Sequence, residues 1–207
     1  GWLRKVSVST MPYDQFTVDG VGTALGVNIK DRTDLFTDIS PIAYSDFLKQ
    51  ALLDYSPVAL AIGTEKSRSE FIIAPILFEL KRQLKEHISL FSGRECNVDI
   101  AHGLTGYCDF LISQSPEQLF IQAPVVTVVG ANNIKSGLGQ CVAEMVAAQR
   151  FNQQRENAIA VVYGVITTGS IWQFLQLQNT VVEIDLTEYF LNDVGKILGI
   201  LKHCAAG

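Results

Sequence analysis

The run Pro124-Val-Val-Thr-Val-Val129 constrains the fold more than any other stretch of this 207-residue chain. It is near-continuously β-branched, with no apolar–polar alternation. A strand of that pattern is covered on both faces, so helices must pack on each side of the sheet that holds it. Two amphipathic segments can supply them. Over residues 69–87, Ile73, Ile76, Leu77, Leu80 and Leu84 recur at helical spacing, and Lys81, Arg82, Lys85 and Glu86 take the other face. Pro75 falls at a kink or in the first turn of that helix. After Gly137, the residues Leu138, Cys141, Val142, Met145 and Ala148 form a second stripe.

Between and beyond these helices lie strand candidates at residues 88–91, 96–100, 107–113 and 159–166. Residues 172–177 and 181–184 read as a closing hairpin turning at Gln178-Asn179, followed by a terminal helix over 188–203. Upstream, residues 44–55 read as a helix capped by Ser45 or Asp46. Residues 57–62 read as a short buried strand ended by Gly63, and residues 1–40 as irregular strands. The order helix, three strands, helix, strand over 69–166 predicts an α/β fold with a mixed central sheet flanked by helices. The chain reads as one domain, with an N-terminal addition (1–60), a core (64–170) and a C-terminal hairpin and helix (171–207).

Composition removes several classes of function. Hydrophobic residues make up 48% of the chain and charged residues 18%, which is a globular balance and not a disordered one. No apolar stretch approaches the roughly 20 residues of a spanning helix, so no membrane role is expected. Gly1-Trp2-Leu3-Arg4-Lys5 has no apolar core and does not read as a signal peptide. Cys96, Cys108, Cys141 and Cys204 are widely spaced, without a C-x-x-C pair, and read as reduced thiols of a cytoplasmic protein. His87, His102 and His203 are scattered and do not suggest zinc. The net charge of −5 gives no global attraction to nucleic acid. A local basic set, Lys66, Arg68, Lys81, Arg82 and Lys85, is either a phosphate-tracking face or an ordinary solvated one.

Four polar residues stand out. Asp109 lies inside an apolar strand, Glu70 opens the first long helix, and Gln140 and Glu144 share one face of the second. Acids meeting at the edge of a sheet can hold Mg²⁺, which prefers oxygen ligands and can activate water against a phosphodiester. Each also has a plainer reading. Glu70 suits a helix N-terminus as a favourable charge, Asp109 can point to solvent on an alternating strand, and Gln140 and Glu144 can be solvated helix positions.

Five sequence blocks carry a resemblance. They are Thr64-Glu-Lys-Ser-Arg-Ser-Glu70-Phe-Ile-Ile-Ala-Pro-Ile-Leu, Phe91-Ser-Gly, Gly103-Leu-Thr-Gly-Tyr-Cys-Asp109-Phe-Leu-Ile-Ser, Gly137-Leu-Gly-Gln140-Cys-Val-Ala-Glu144-Met and Tyr163-Gly-Val-Ile-Thr-Thr-Gly-Ser-Ile-Trp172-Gln-Phe-Leu. Together, over about residues 60–200, the chain resembles an uncharacterised, cyanobacterial-type branch of the PD-(D/E)xK nuclease superfamily. The resemblance implies a restriction-endonuclease-like α-β-β-β-α-β core and an Mg²⁺-dependent phosphodiester hydrolase. It makes Asp109 the metal-binding acid, Glu70 the acid from the first helix, and Gln140 the polar residue facing the site from the second. It also implies nucleic acid as a partner, and a homodimer is a further expectation.

The second half of the motif, an acid and a Lys two residues on, departs from the pattern. Gly130 stands where the acid belongs and Asn132 where the Lys belongs, and residues 128–134 contain neither type. Without that Lys, an attacking water loses the cation that would stabilise developing charge. The sequence therefore reads as a catalytically impaired nuclease-like protein. One alternative is an active enzyme using a migrated Glu144 or Lys135. Another is an anion or nucleotide site over 130–139, where Gly130-Ala-Asn-Asn-Ile-Lys135-Ser136 imitates a P-loop one residue short. Trp172 and Phe174 read as core residues.

Overall fold

The computed structural model describes residues 12–206. The residues 1–5 weighed above as a leader therefore lie outside the described part. In chain order the elements are α1 (Val18–Leu25), β1 (Asn28–Arg32), α2 (Asp46–Ile62), α3 (Glu65–Arg68), a π-helical turn (Ser69–Ile73), α4 (Ala74–Leu84), β2 (Ser89–Glu95), β3 (Tyr107–Ser113), β4 (Pro124–Gly130), α5 (Ile134–Gln154), β5 (Val161–Thr167), β6 (Ile171–Gln178), β7 (Val181–Asp185), β8 (Tyr189–Phe190) and α6 (Val194–Ala206).

The strands form one eight-stranded mixed sheet in the order β1-β7-β6-β5-β4-β3-β2, with β8 pairing β6. β2, β3 and β4 are antiparallel neighbours, and β5 lies parallel to β4 after the α5 crossover. A helix, three strands, helix, strand order is present as α4-β2-β3-β4-α5-β5, with β4 as its third strand because the candidate at 96–100 does not form. β4 is buried at every position, as its β-branched run required. Val126 and Val128 face a layer built on α4 and α6, whereas Val129 faces α5 and α1. Trp172 and Phe174 are fully buried in the first of these layers. β1 pairs with β7, Asn28 opposite Val181, so the segments read as N- and C-terminal additions join each other and widen the core sheet.

Several local readings are corrected. Residues 57–62 are not a strand; they continue α2, which runs through Pro57 and ends at Gly63 in the left-handed region (φ 74°). Only Ala59 of that stretch packs inward, and Val58, Leu60 and Ile62 are exposed. Residues 96–100 are not a strand either, because the β2 ladder ends at Glu95 and the chain turns through a short 3-10 turn at Ile100–His102. Residues 18–25 are helical despite Gly20 and Gly22, and the Thr17 side chain accepts the Gly20 N–H as an N-cap. The terminal helix begins at Val194, after β8. Pro75 sits in the first turn of α4, and the π-helical turn lies just before it. Proline has no N–H to return to the Phe71 carbonyl four residues back, so the helix widens there.

α5 lies close over the sheet and over the N-terminal segment because Gly139 has no side chain. A Cβ there would sit 2.2 Å from the Phe16 carbonyl oxygen. Helix propensity alone favours Ala at this position by about 1 kcal/mol, but overpacking costs about 1–3 kcal/mol. Gly139→Ala is therefore expected to destabilise the fold by up to about 2 kcal/mol in urea unfolding. A stabilised variant would show that the segment around Phe16 does not pack on α5 in solution.

Candidate functional site

Asp109 projects from β3 beside the C-terminal end of β4. Its Oδ2 accepts the Gly130 backbone N–H at 2.9 Å. Asp109 is half-buried. Burial pushes its carboxyl above the ordinary range, and the Gly130 hydrogen bond opposes the shift. Two adjoining cavities share it. One, of about 460 Å³, is lined by Glu65, Glu70, Ser92 and Gly130 as well as Asp109. The other, of about 390 Å³, adds Asp14 and Gln140 to Glu65 and Asp109.

The first-helix acid closest in effect to Asp109 is Glu65, which the sequence reading passed over. Its carboxyl is raised by burial and then by the Asp109 charge. Glu70 lines the same cavity wall but is exposed, and its Oε1 lies 3.8 Å from the Lys66 Nζ in an i,i+4 pair. Glu70 thus borders the cavity, but the helix N-terminus where a favourable charge was expected belongs to Glu65, since the helical run begins there and Glu70 lies in the π-helical turn. The signal that could have found Glu65 is Thr64. That residue caps α3 by accepting the Ser67 N–H at 3.1 Å, which fixes Glu65 as the first helical residue.

Gln140 and Glu144 are not solvated helix positions. Glu144 is 2% exposed and points from α5 into the sheet. The Thr127 hydroxyl donates to its Oε1 at 2.6 Å, and the Gln140 Nε2 donates to its Oε2 at 3.0 Å. Burial pushes its carboxyl up to about 7, against the pull of these donors and of Cys108. Gln140 therefore bridges the Asp109 cavity and a buried acid behind it. Glu144 itself lines a third cavity, of about 430 Å³, with Tyr13, Cys96 and Cys108.

The remaining candidates lie apart. Lys135 and Asn132 are exposed and line a separate cavity with Arg68, Asn133 and Ser170. In the segment that imitates a P-loop, the Ala131 N–H is given to the Thr167 carbonyl at 3.0 Å. α5 begins instead from an Asn133 cap that accepts the Ser136 N–H at 3.0 Å. The basic set does not form one free face. Lys81 donates to the Lys85 and Ile88 carbonyls, and the Arg82 guanidinium lies 5.2 Å from the Phe47 ring centroid.

No protein-family model matches this chain, and no curated protein matches it. The donor set fits the metal of a PD-(D/E)xK nuclease poorly. One oxygen of Asp109 is occupied by a backbone N–H, the strand position beside it is Gly130, and no group of three or more His, Cys, Asp or Glu that could hold a metal gathers among the described residues. Among the described residues no helix is long and apolar enough to cross a membrane.

Proposed function

We propose that this chain is a PD-(D/E)xK-type, restriction-endonuclease-like protein whose phosphodiester-cutting centre is disabled in the second half of its motif. One observation carries the reading. Where the motif acid would stand beside Asp109, the chain presents only the Gly130 N–H, 2.9 Å from the Asp109 carboxylate. The α-β-β-β-α-β order, with Asp109 on the second of those strands and Gly130 at the end of the third, supports the family assignment. The migrated alternative is less well supported, since Glu144 is tied to Thr127 and Gln140, and Lys135 lines another cavity. On this reading the protein keeps a nucleic-acid or protein partner without cutting it. Four free cysteines suit a reducing, cytoplasmic setting.

Space for the lost acid remains. A Cβ at Gly130 would meet nothing closer than 3.7 Å, at Asp109 Oδ2 and Ile73. Gly130→Glu combined with Asn132→Lys is therefore expected to bind Mn²⁺ at least about tenfold more tightly than the unaltered chain, about 1.4 kcal/mol by titration calorimetry. Asp109→Ala in that background should abolish the gain. Metal-dependent cleavage of DNA or RNA by the unaltered chain, lost on Asp109→Ala, would overturn the reading.

A further inference from the structure

β2 and β3 bring two thiols together on the wall of the third cavity. Arg94 pairs with Cys108 across the ladder. One step past the end of β2, the Cys96 N–H donates to the Gly106 carbonyl at 2.8 Å. Cys96 is therefore offset by two residues from Cys108, and diagonal neighbours of this kind lie within about 8 Å. Both side chains line the cavity of about 430 Å³. The Tyr13 hydroxyl donates to the Cys96 carbonyl at 2.5 Å, so the backbone of Cys96 is held from both sides.

The four cysteines are not equivalent. Cys96 is half-buried, whereas Cys108, Cys141 and Cys204 are buried. Cys141 packs against Met145 and the Val165 carbonyl under α5, and Cys204 lies in the opposite core layer. The neighbouring Cys108 thiol holds the Cys96 thiol below its ordinary value. Arg94 acts in the same direction, while burial, Glu144 and Glu95 oppose it. A half-exposed thiol next to a cation and a second thiol is the arrangement in which thiolate character and access coincide.

We propose that Cys96 and Cys108 form a peroxide-oxidisable dithiol, in which Cys96 reduces a small hydroperoxide and Cys108 resolves the product as an intramolecular disulfide. The Cys96 thiolate attacks the distal oxygen of ROOH. The O–O bond breaks, Cys96 becomes a sulfenic acid, and RO⁻ leaves and takes a proton from water as ROH. The Cys108 sulfur then attacks the Cys96 sulfur. The S–O bond breaks, and the departing hydroxide takes the Cys108 proton as water. Overall the dithiol loses two electrons and two protons, and the peroxide is reduced to alcohol and water. Closure needs a short movement where the ladder ends, next to Gly106, which already holds φ 127°.

The experiment uses the full chain, fully reduced, with hydrogen peroxide as the probe. The intact mass should fall by two hydrogens, and peptide mapping should recover a Cys96–Cys108 linked peptide that dithiothreitol reverses. Cys108→Ser should instead leave a Cys96 sulfenic acid that dimedone traps. Cys96→Ser should slow peroxide consumption at least about tenfold, since the buried Cys108 cannot substitute. Peroxide-treated protein with both thiols still free to alkylate, a link through Cys141 or Cys204, or unchanged consumption by Cys96→Ser would each overturn the proposal.

Discussion

Lys196→Ala should lower the unfolding free energy by about 3 kcal/mol, because it strips three backbone carbonyls of one cationic donor. Lys196 is buried in α6 at 9% exposure. Its Nζ donates to the Phe36 carbonyl at 2.8 Å and the Thr37 carbonyl at 3.0 Å, and to the Ile39 carbonyl. Hydrogen bonds to a charged group contribute about 1.5–3 kcal/mol each when compared with an unsatisfied partner. Part of that loss is recovered as water reaches the loop. The same loop is pressed against α6 at Gly199, where a Cβ would sit 2.4 Å from the Ser40 carbonyl oxygen. Chemical unfolding measures the loss, and faster proteolysis across residues 33–40 should accompany it. A variant within about 0.5 kcal/mol of the parent would show that this lysine is solvated in the folded protein.

Stability should also fall as pH rises from about 4.5 to about 7, with Glu144 as the main cause. Its carboxyl has an ordinary value of 4.5 and is pushed up to about 7 by burial. The folded chain therefore binds the proton more tightly than the unfolded chain. The contribution is fully present below 4.5 and is lost as pH passes through the folded value near 7. The interval between those values corresponds to about 3 kcal/mol. Glu144→Gln keeps the shape and a donor–acceptor pair for Thr127 and Gln140 but has nothing to titrate. Its unfolding free energy should lose that part of the slope and keep only what Asp109 and Glu65, which burial also raises, contribute. Parallel profiles for the parent and Glu144→Gln would remove Glu144 as the source.

The central layers were legible because a few residues decide them. The β-branched run of β4 demanded cover on both faces, and the stripes of α4 and α5 provide it. What stayed illegible was set by contacts far away in sequence. Residues 57–62 have the composition of a strand, yet Ala59 packs in the α4–α6 core layer and Gly63 stops the chain only after the helix is complete. Residues 96–100 lack a strand because pairing past Gly106 is irregular: it shrinks to an isolated bridge between Asp99 and Leu104 before the chain turns at Ile100–His102.

The candidate site was legible at Asp109 and Gln140, which share a cavity. Glu65 was missed because the resemblance pointed to Glu70, although the Thr64 cap marked where the helix begins. The burial of Glu144 was also hidden. An acid flanked by Ala143 and Met145 gives no sign in sequence that Thr127, on the third strand of the core, waits to donate to it.

The parallel pairing of β1 with β7 carries a consequence for how the molecule is made. Asn28 meets Val181, and Arg32 meets Asp185. On a ribosome β1 emerges long before its partner exists, so its polar edge must wait, unzipped, until the intervening residues and β7 have been synthesised. The loop that closes then is among the longest the chain can form, which places this step late and makes it slow. The seam between β1 and β7 is sewn only after everything that lies between them has been made.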